Sequence, residues 1–580
     1  MRDATQRFHE WMEETHSARL ELCRHFFLRF FDSDLVSTPG QWRVVAIGAI
    51  AILLSSSLIF VQAYWHKYIA LDALPTPEPY RLAIVADALF LVTLAMFVIG
   101  LFTTLQWPSL FPGLRDYLAL AALPIRLREI FMAKFTALVT FAGAFVIATT
   151  FPPSVLMPTV SSGRYATHSI LQVPALFVSC SLAALFVFFS LVAVQGVLLN
   201  LLPTRHFARL SLAAQGLLLT ILLCGLPLVF AIPSLKDSMT LRPDWAVWLP
   251  PAWFLGLHQV ILGNYEPFAE RLARISLAGF AGTVAFAILM YLWSYRRHRV
   301  RLLESAAVTP KMADWGWGAR LTDRLMRDPQ ELAVFGFIGK TLARSRHHRL
   351  VLTAFSAVAI AVIFESFVSL ALSPHFRGFL AHSKALREAA ISAPLALSLF
   401  VLSGFRYLFR LPVELRANWV FRVNEAGNRL AFLTAVEEFL VCFAVAPVAL
   451  VTLPLEIFLL GPGTAFAAAI LCLLPSLILM EALLVRFEKV PFTSSYLPGR
   501  RPLVETLLLY GMAVGLYVSI LSSIVNWALE GPRAALGLFI VLLAIWLKVR
   551  KGRLDDLDIG RLEFEELPEP AVQTLSIFRD

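Results

Sequence analysis

The chain has 580 residues, of which 58% are hydrophobic and only 16% charged, and its mean hydropathy is +0.71. Soluble proteins are nearer half apolar and a quarter charged, so a soluble globular domain is excluded and an all-α polytopic membrane protein is expected. The net charge of +10 does not point to nucleic acid, because the basic residues gather in short loops between apolar runs, where they set orientation.

Residues 1–41 read as a polar, helix-forming amphipathic region with Phe26, Phe27, Phe30 and Phe31 late in it. Two readings stay open: its aromatic side rests on the inner leaflet, or it packs on its own protein. The first apolar run starts too late and is too long for a secretory signal peptide. Runs long enough to cross a hydrocarbon core of roughly 30 Å then cover about Arg43–Trp65, Leu82–Leu105, Lys134–Thr150, Val173–Leu202, Ala208–Ile232 and Leu272–Tyr295. One set of loops carries Arg115, Arg126, Arg128 and Lys134, then Arg205 and Arg209, then Arg296, Arg297, Arg299 and Arg301. The other set is poorer in base relative to acid. The basic set is expected in the cytosol, which puts the amino terminus inside and returns the chain there after six spans.

Between the second and third spans lies Leu123-Pro124-Ile125-Arg126-Leu127-Arg128-Glu129-Ile130, continuing to Phe135. Leu127, Phe131 and Phe135 form an apolar stripe, so the segment reads as a short amphipathic helix at the membrane surface. A counterpart returns about half the chain later as Leu411-Pro412-Val413-Glu414-Leu415-Arg416-Ala417-Asn418-Trp419-Val420, with Leu415, Trp419 and Val423 as its stripe. The outer loop before the sixth span is aromatic and broken by proline: Trp245, Trp248, Pro250, Pro251, Trp253 and Phe254. It reads as a short re-entrant or surface-lying element, or else as an aromatic belt with no role in transport.

Residues 299–348 form a cytosolic linker between the first half, 42–298, and the second, 349–549. Asp328-Pro329-Gln330-Glu331 predicts a helix start, with Asp as cap and Pro at the first position. Gly336-Phe337-Ile338-Gly339-Lys340-Thr341 is no phosphate-binding loop, because Val334 stands where the first glycine is needed and no strand precedes it. Six more spans are expected at about Leu350–Leu372, Ala389–Phe405, Leu430–Leu460, Ala465–Leu484, Leu503–Ile524 and Arg533–Leu547. An acidic cytosolic tail, 550–580, closes the chain.

Acids inside spans are costly and point to function unless they snorkel or serve as structural hydrogen-bond partners. Asp87 and Glu365 fall near outer ends, where water is expected to reach them; Glu437, Glu438 and Glu481 fall near inner ends. They form no evident proton relay. The five cysteines, Cys23, Cys180, Cys224, Cys442 and Cys472, have neither metal-ligand spacing nor a disulfide framework. No nucleophile or dinucleotide motif is present, so no catalytic, metal or cofactor site is expected in this chain.

Two six-span halves, each with an amphipathic helix before its first span and a charged Leu-Pro helix between its second and third, resemble the membrane subunit of type-2 ATP-binding-cassette (ABC) exporters, as a fused pair. The stretch from Asp116-Tyr117-Leu118-Ala119-Leu120 through Leu123–Ile130 to Lys134 carries the resemblance best. It implies that Arg126, Arg128 and Glu129, with Glu414 and Arg416 in the second half, form coupling helices docking on a separate ATPase. That partner would bind ATP and Mg and drive export or membrane extraction of a substrate. The residues Trp245, Trp248, Trp253 and Phe254 would form the outer-face element. The second half departs, with Ala417 where the first has Glu129 and with no full aromatic outer element. The resemblance implies a bacterial inner-membrane protein with both termini cytosolic. An ion-coupled secondary transporter is the alternative, against which stand the missing acid network and the absence of a glycine-aspartate-arginine loop after the second span. A membrane scaffold or regulator without transport is a third.

Overall fold

In the computed structural model the described residues are 21–27, 62, 64–111, 127–165, 169–232, 244–307, 328–371, 384–411, 421, 423, 429–485, 487, 490–493, 511–512 and 514–559. Among them every regular element is a helix or helical turn. The chain divides into two compact units, Met1–Thr309 and Pro310–Asp580.

The first unit holds α1 (Glu78–Leu105), α2 (Leu127–Val160), α3 (Ser169–Leu201), α4 (Thr204–Ala231), the short α5 (Pro250–Ile261) and α6 (Pro267–Ala307). The second holds α7 (Pro329–Arg344), α8 (Arg346–Ala371), α9 (Lys384–Leu408), α10 (Arg429–Leu440), α11 (Ala446–Leu460), α12 (Pro462–Leu484), α13 (Leu521–Ala528) and α14 (Pro532–Ile559). Ten helices among the described residues are long and apolar enough to cross a membrane, α10 and α11 counting as one. Most of the expected first span lies outside the described residues. The expected eleventh is described from residue 511 onward and carries the shorter apolar helix Val514–Ala528.

Prolines sit inside several of these helices: Pro152, Pro153 and Pro158 in α2, Pro394 in α9, Pro454 in α11 and Pro475 in α12. Helices of a membrane bundle tolerate them because neighbouring helices and hydroxyl side chains take up the freed backbone groups. Between α10 and α11 the helix widens into a π turn over Val441–Val445. Pro447 follows directly and cannot donate to the carbonyl four residues back, so the ladder shifts there. Asp328 caps α7 as the sequence predicts, accepting from the Gln330 N–H at 2.8 Å.

In the first unit α3 is central, packing on α1, α2, α5 and α6, while α4 packs on α1. Trp107 anchors this core: its Nε1 donates to Ser211 Oγ at 3.0 Å, and Gln195 Nε2 donates to its carbonyl at 2.8 Å. In the second unit α9 is the central pillar, with α8, α11, α12 and α13 around it and α14 on the far side of α12. Its membrane-crossing window is 89% buried, against 6% for α14. Small residues mark close helix contacts in lipid, which predicts that Ala142-Gly143-Ala144 and Ala278–Gly282 face protein. Ala142 is buried, and a Cβ on Gly279 would touch the Trp253 ring, but Gly143 and Gly282 have open space beside them. The tightest glycine approach involving α5 is instead at Gly256, where a Cβ would lie 2.4 Å from Leu272 Cβ on α6.

Candidate functional site

The expected coupling segment is not a separate surface helix from Leu127 onward. Residues 127–160 form one continuous helix, so the charged turn is the first turn of a spanning helix. No proline lies between Glu129 and Thr150, and the run is apolar apart from Lys134, Thr136, Thr140 and Thr149. Arg128 is exposed and Glu129 half-buried, while Ile130, Phe131 and Lys134 are buried. The stripe thus packs on protein. Lys134 Nζ stands 4.9 Å from the Phe26 ring centre, Cys23 Sγ lies 3.6 Å from the Ala133 carbonyl, and Phe27 meets Phe141 edge-on at 5.7 Å. The Phe26 side chain therefore rests on α2 and not on lipid. Arg126, Glu414 and Arg416 lie outside the described residues, as do Phe30 and Phe31. In the second unit α7 packs on α10 and the π turn: Phe335 lies 5.2 Å from Phe439 and 6.0 Å from Phe443.

The aromatic stretch expected on the outer face forms a 3-10 turn, Asp244–Trp248, followed by α5. Pro250 and Pro251 open α5, where a missing N–H costs nothing. Phe254, Leu257 and His258 are buried, and Trp253 Nε1 donates to the Val247 carbonyl at 2.6 Å, tying turn to helix. Trp248 is 83% exposed. Of Trp245 only the backbone, within the turn, is described.

Among the described residues the buried acids fall into three groups. In the first, Asp87 on α1 is fully buried, so water does not reach it as its position near a helix end predicts. Lys67 Nζ meets both its oxygens at 2.7 Å and Tyr68 OH donates to it at 2.7 Å. Glu365, by contrast, is exposed.

The second group joins three helices of the second unit. Arg553 on α14, 5% exposed, lies 2.5 Å from Glu437 on α10 and 2.5 Å from Glu481 on α12. Arg550 adds a contact to Glu437 at 3.1 Å. The Arg553–Glu437 contact is a hydrogen bond; that to Glu481 is a close ion contact without hydrogen-bond alignment. Neither acid snorkels. Sequence reading finds the two acids but leaves Arg550 and Arg553 in the tail beyond the last span, since nothing in local sequence pairs residues this far apart.

The third group is Glu456 on α11, which sequence reading passes over. It is fully buried, and neither carboxyl oxygen has a hydrogen-bond partner. It lines a cavity of about 10 Å³ shared with Thr452, Cys472, Ser476 and Pro394, room for about one water molecule. The signal available was a lone acid four residues from a helix end, flanked by Leu455 and Ile457. Among the described residues no group of three or more His, Cys, Asp or Glu side chains is placed to hold a metal ion.

Comparison of the chain with known protein families, with curated proteins and with solved structures finds no match.

Proposed function

We propose that the chain is the membrane-spanning subunit of an ABC-type exporter, which moves or extracts a substrate using ATP hydrolysed on a separate polypeptide. One observation carries this reading: the exposed Arg128 and its neighbour Glu129 stand on the first turn of a helix that continues unbroken into a span. A force applied to that turn travels into the bilayer along a hydrogen-bonded rod rather than through a flexible joint. The helix residues 21–27 brace the same rod from the side.

Helix packing supports the internal duplication. With spans counted as the sequence places them, second packs on fourth, third on fourth, fourth on sixth and second on fifth in each unit separately. An ion-coupled secondary transporter is a second reading, favoured by the unpartnered Glu456.

The test is a charge swap, Arg128→Glu with Glu129→Arg, which holds net charge constant and so leaves nonspecific attraction to anionic lipid in place. Co-purification of a co-expressed ABC ATPase subunit, and its stimulation, are measured for both proteins. Loss of recovery and at least a tenfold loss of stimulation in a folded swapped variant are expected. Equal recovery and equal stimulation would reduce the segment to a structural start of α2.

A further inference from the structure

We propose that Glu456 is a proton-binding site within the second unit, a carboxyl that holds its proton in a cavity it lines together with the hydroxyls of Thr452 and Ser476. The inference goes beyond the exporter reading and stands whichever energy source drives the chain.

The geometry carries it. A carboxylate needs a cation or several donors when taken out of water, and Glu456 has neither. The contrast with the other buried acids is direct: Asp87 has Lys67 and Tyr68, while Glu437 and Glu481 have Arg553. The two hydroxyls lining the cavity are oriented away as donors, Thr452 Oγ1 to the Val448 carbonyl at 3.1 Å and Ser476 Oγ to the Cys472 carbonyl at 2.9 Å. Their lone pairs are left as acceptors, which suits a neighbour carrying O–H.

Among the described residues, no charged group other than Glu456 lines the cavity from α11 or the elements packed on it. Of the titratable side chains on α12, Cys472 lines the cavity while Glu481 is engaged by Arg553. The pillar α9 contributes Pro394 to the lining; its Arg387, Glu388 and Arg406 take no part in it. From the π turn Val445 lines the cavity and Cys442 does not. The next polar pair is Ser398 of α9 with Tyr517, 3.5 Å apart.

The cavity also lies where its walls are weakest. Pro454 precedes Glu456 by two residues, Pro475 adjoins Ser476, and Pro394 is itself in the wall. Each withholds one backbone hydrogen bond from its helix. These are the places at which small bends give the acid a route to water, so that the proton is exchanged when the helices move and held when they do not.

The experiment is infrared difference spectroscopy on the full-length protein in lipid nanodiscs at neutral pH, with hydrogen–deuterium exchange, comparing wild type with Glu456→Gln and Glu456→Met. Wild type is expected to show the carbonyl stretch of a buried carboxylic acid, shifting slowly in deuterated water. Both variants should lose that band while keeping wild-type thermal stability, because a neutral side chain replaces a neutral acid. A band that persists in a folded variant, or is absent from wild type, would overturn the proposal. Failure of both variants to fold would overturn it as well. Titration with sodium chloride against choline chloride forms a second arm: sodium-dependent stabilisation of wild type, lost in Glu456→Gln and without an acid band, would assign the cavity to a metal cation instead.

Discussion

At the scale of single residues, Arg553 has the largest consequence for stability. Removing it leaves Glu437 and Glu481, 8% and 0% exposed, buried beside each other with only Arg550 close by. Breaking a buried pair in this way costs about 3–5 kcal/mol, because the uncompensated charge remains inside. Arg553→Met is therefore expected to lower the thermal unfolding midpoint sharply in detergent. Adding Glu437→Gln and Glu481→Gln should restore most of the loss, since the charge left, Arg550, is 39% exposed and reaches water. If Arg553→Met unfolds with wild type, the cluster contributes nothing to stability. Sequence alone reveals the two acids, because a carboxylate in an apolar run is conspicuous. It cannot reveal their partner, which lies 116 residues beyond Glu437, nor distinguish the paired Glu481 from the unpaired Glu456. That difference depends on which helices meet, not on local composition.

At the scale of elements, the apolar runs and the helices agree closely wherever the residues are described, because twenty apolar residues in lipid have few alternatives to helix. The ends are less legible. The sequence starts the third span at Lys134, but the helix begins at Leu127; it ends the last span at Leu547, but α14 continues to Ile559. In both cases the described charged side chains within the extra turns find partners or water without breaking the helix, and periodicity carries no mark of where lipid stops. The contact between α5 and α6 gives a test of packing. A Cβ at Gly256 would come within 2.9 Å of the Ala269 carbonyl as well as meeting Leu272, and neither backbone can retreat alone. Gly256→Leu should cost about 1–3 kcal/mol by overpacking. Gly282→Leu, with open space beside it, should cost far less. Comparable unfolding midpoints for the two variants would show that α5 is held loosely.

At the scale of the whole molecule, charge alternation between loops predicts twelve spans with both termini in the cytosol. Exposed residues on the expected outer and inner loops give the test. In a cysteine-free background, an impermeant maleimide added to intact cells should label Ser162→Cys and spare His206→Cys, both positions being exposed. Labelling of His206→Cys would reverse or break the topology. The order of the chain adds a consequence of the Arg553 cluster that concerns biosynthesis. Glu437 and Glu481 are synthesised and inserted well before Arg553 is translated. Until the last helix is complete, the nascent protein carries two carboxylates that lack their main cation, and arrival of α14 supplies it. A chain stalled or truncated before residue 553 retains that defect, which gives membrane quality control a chemical mark separating unfinished copies from finished ones.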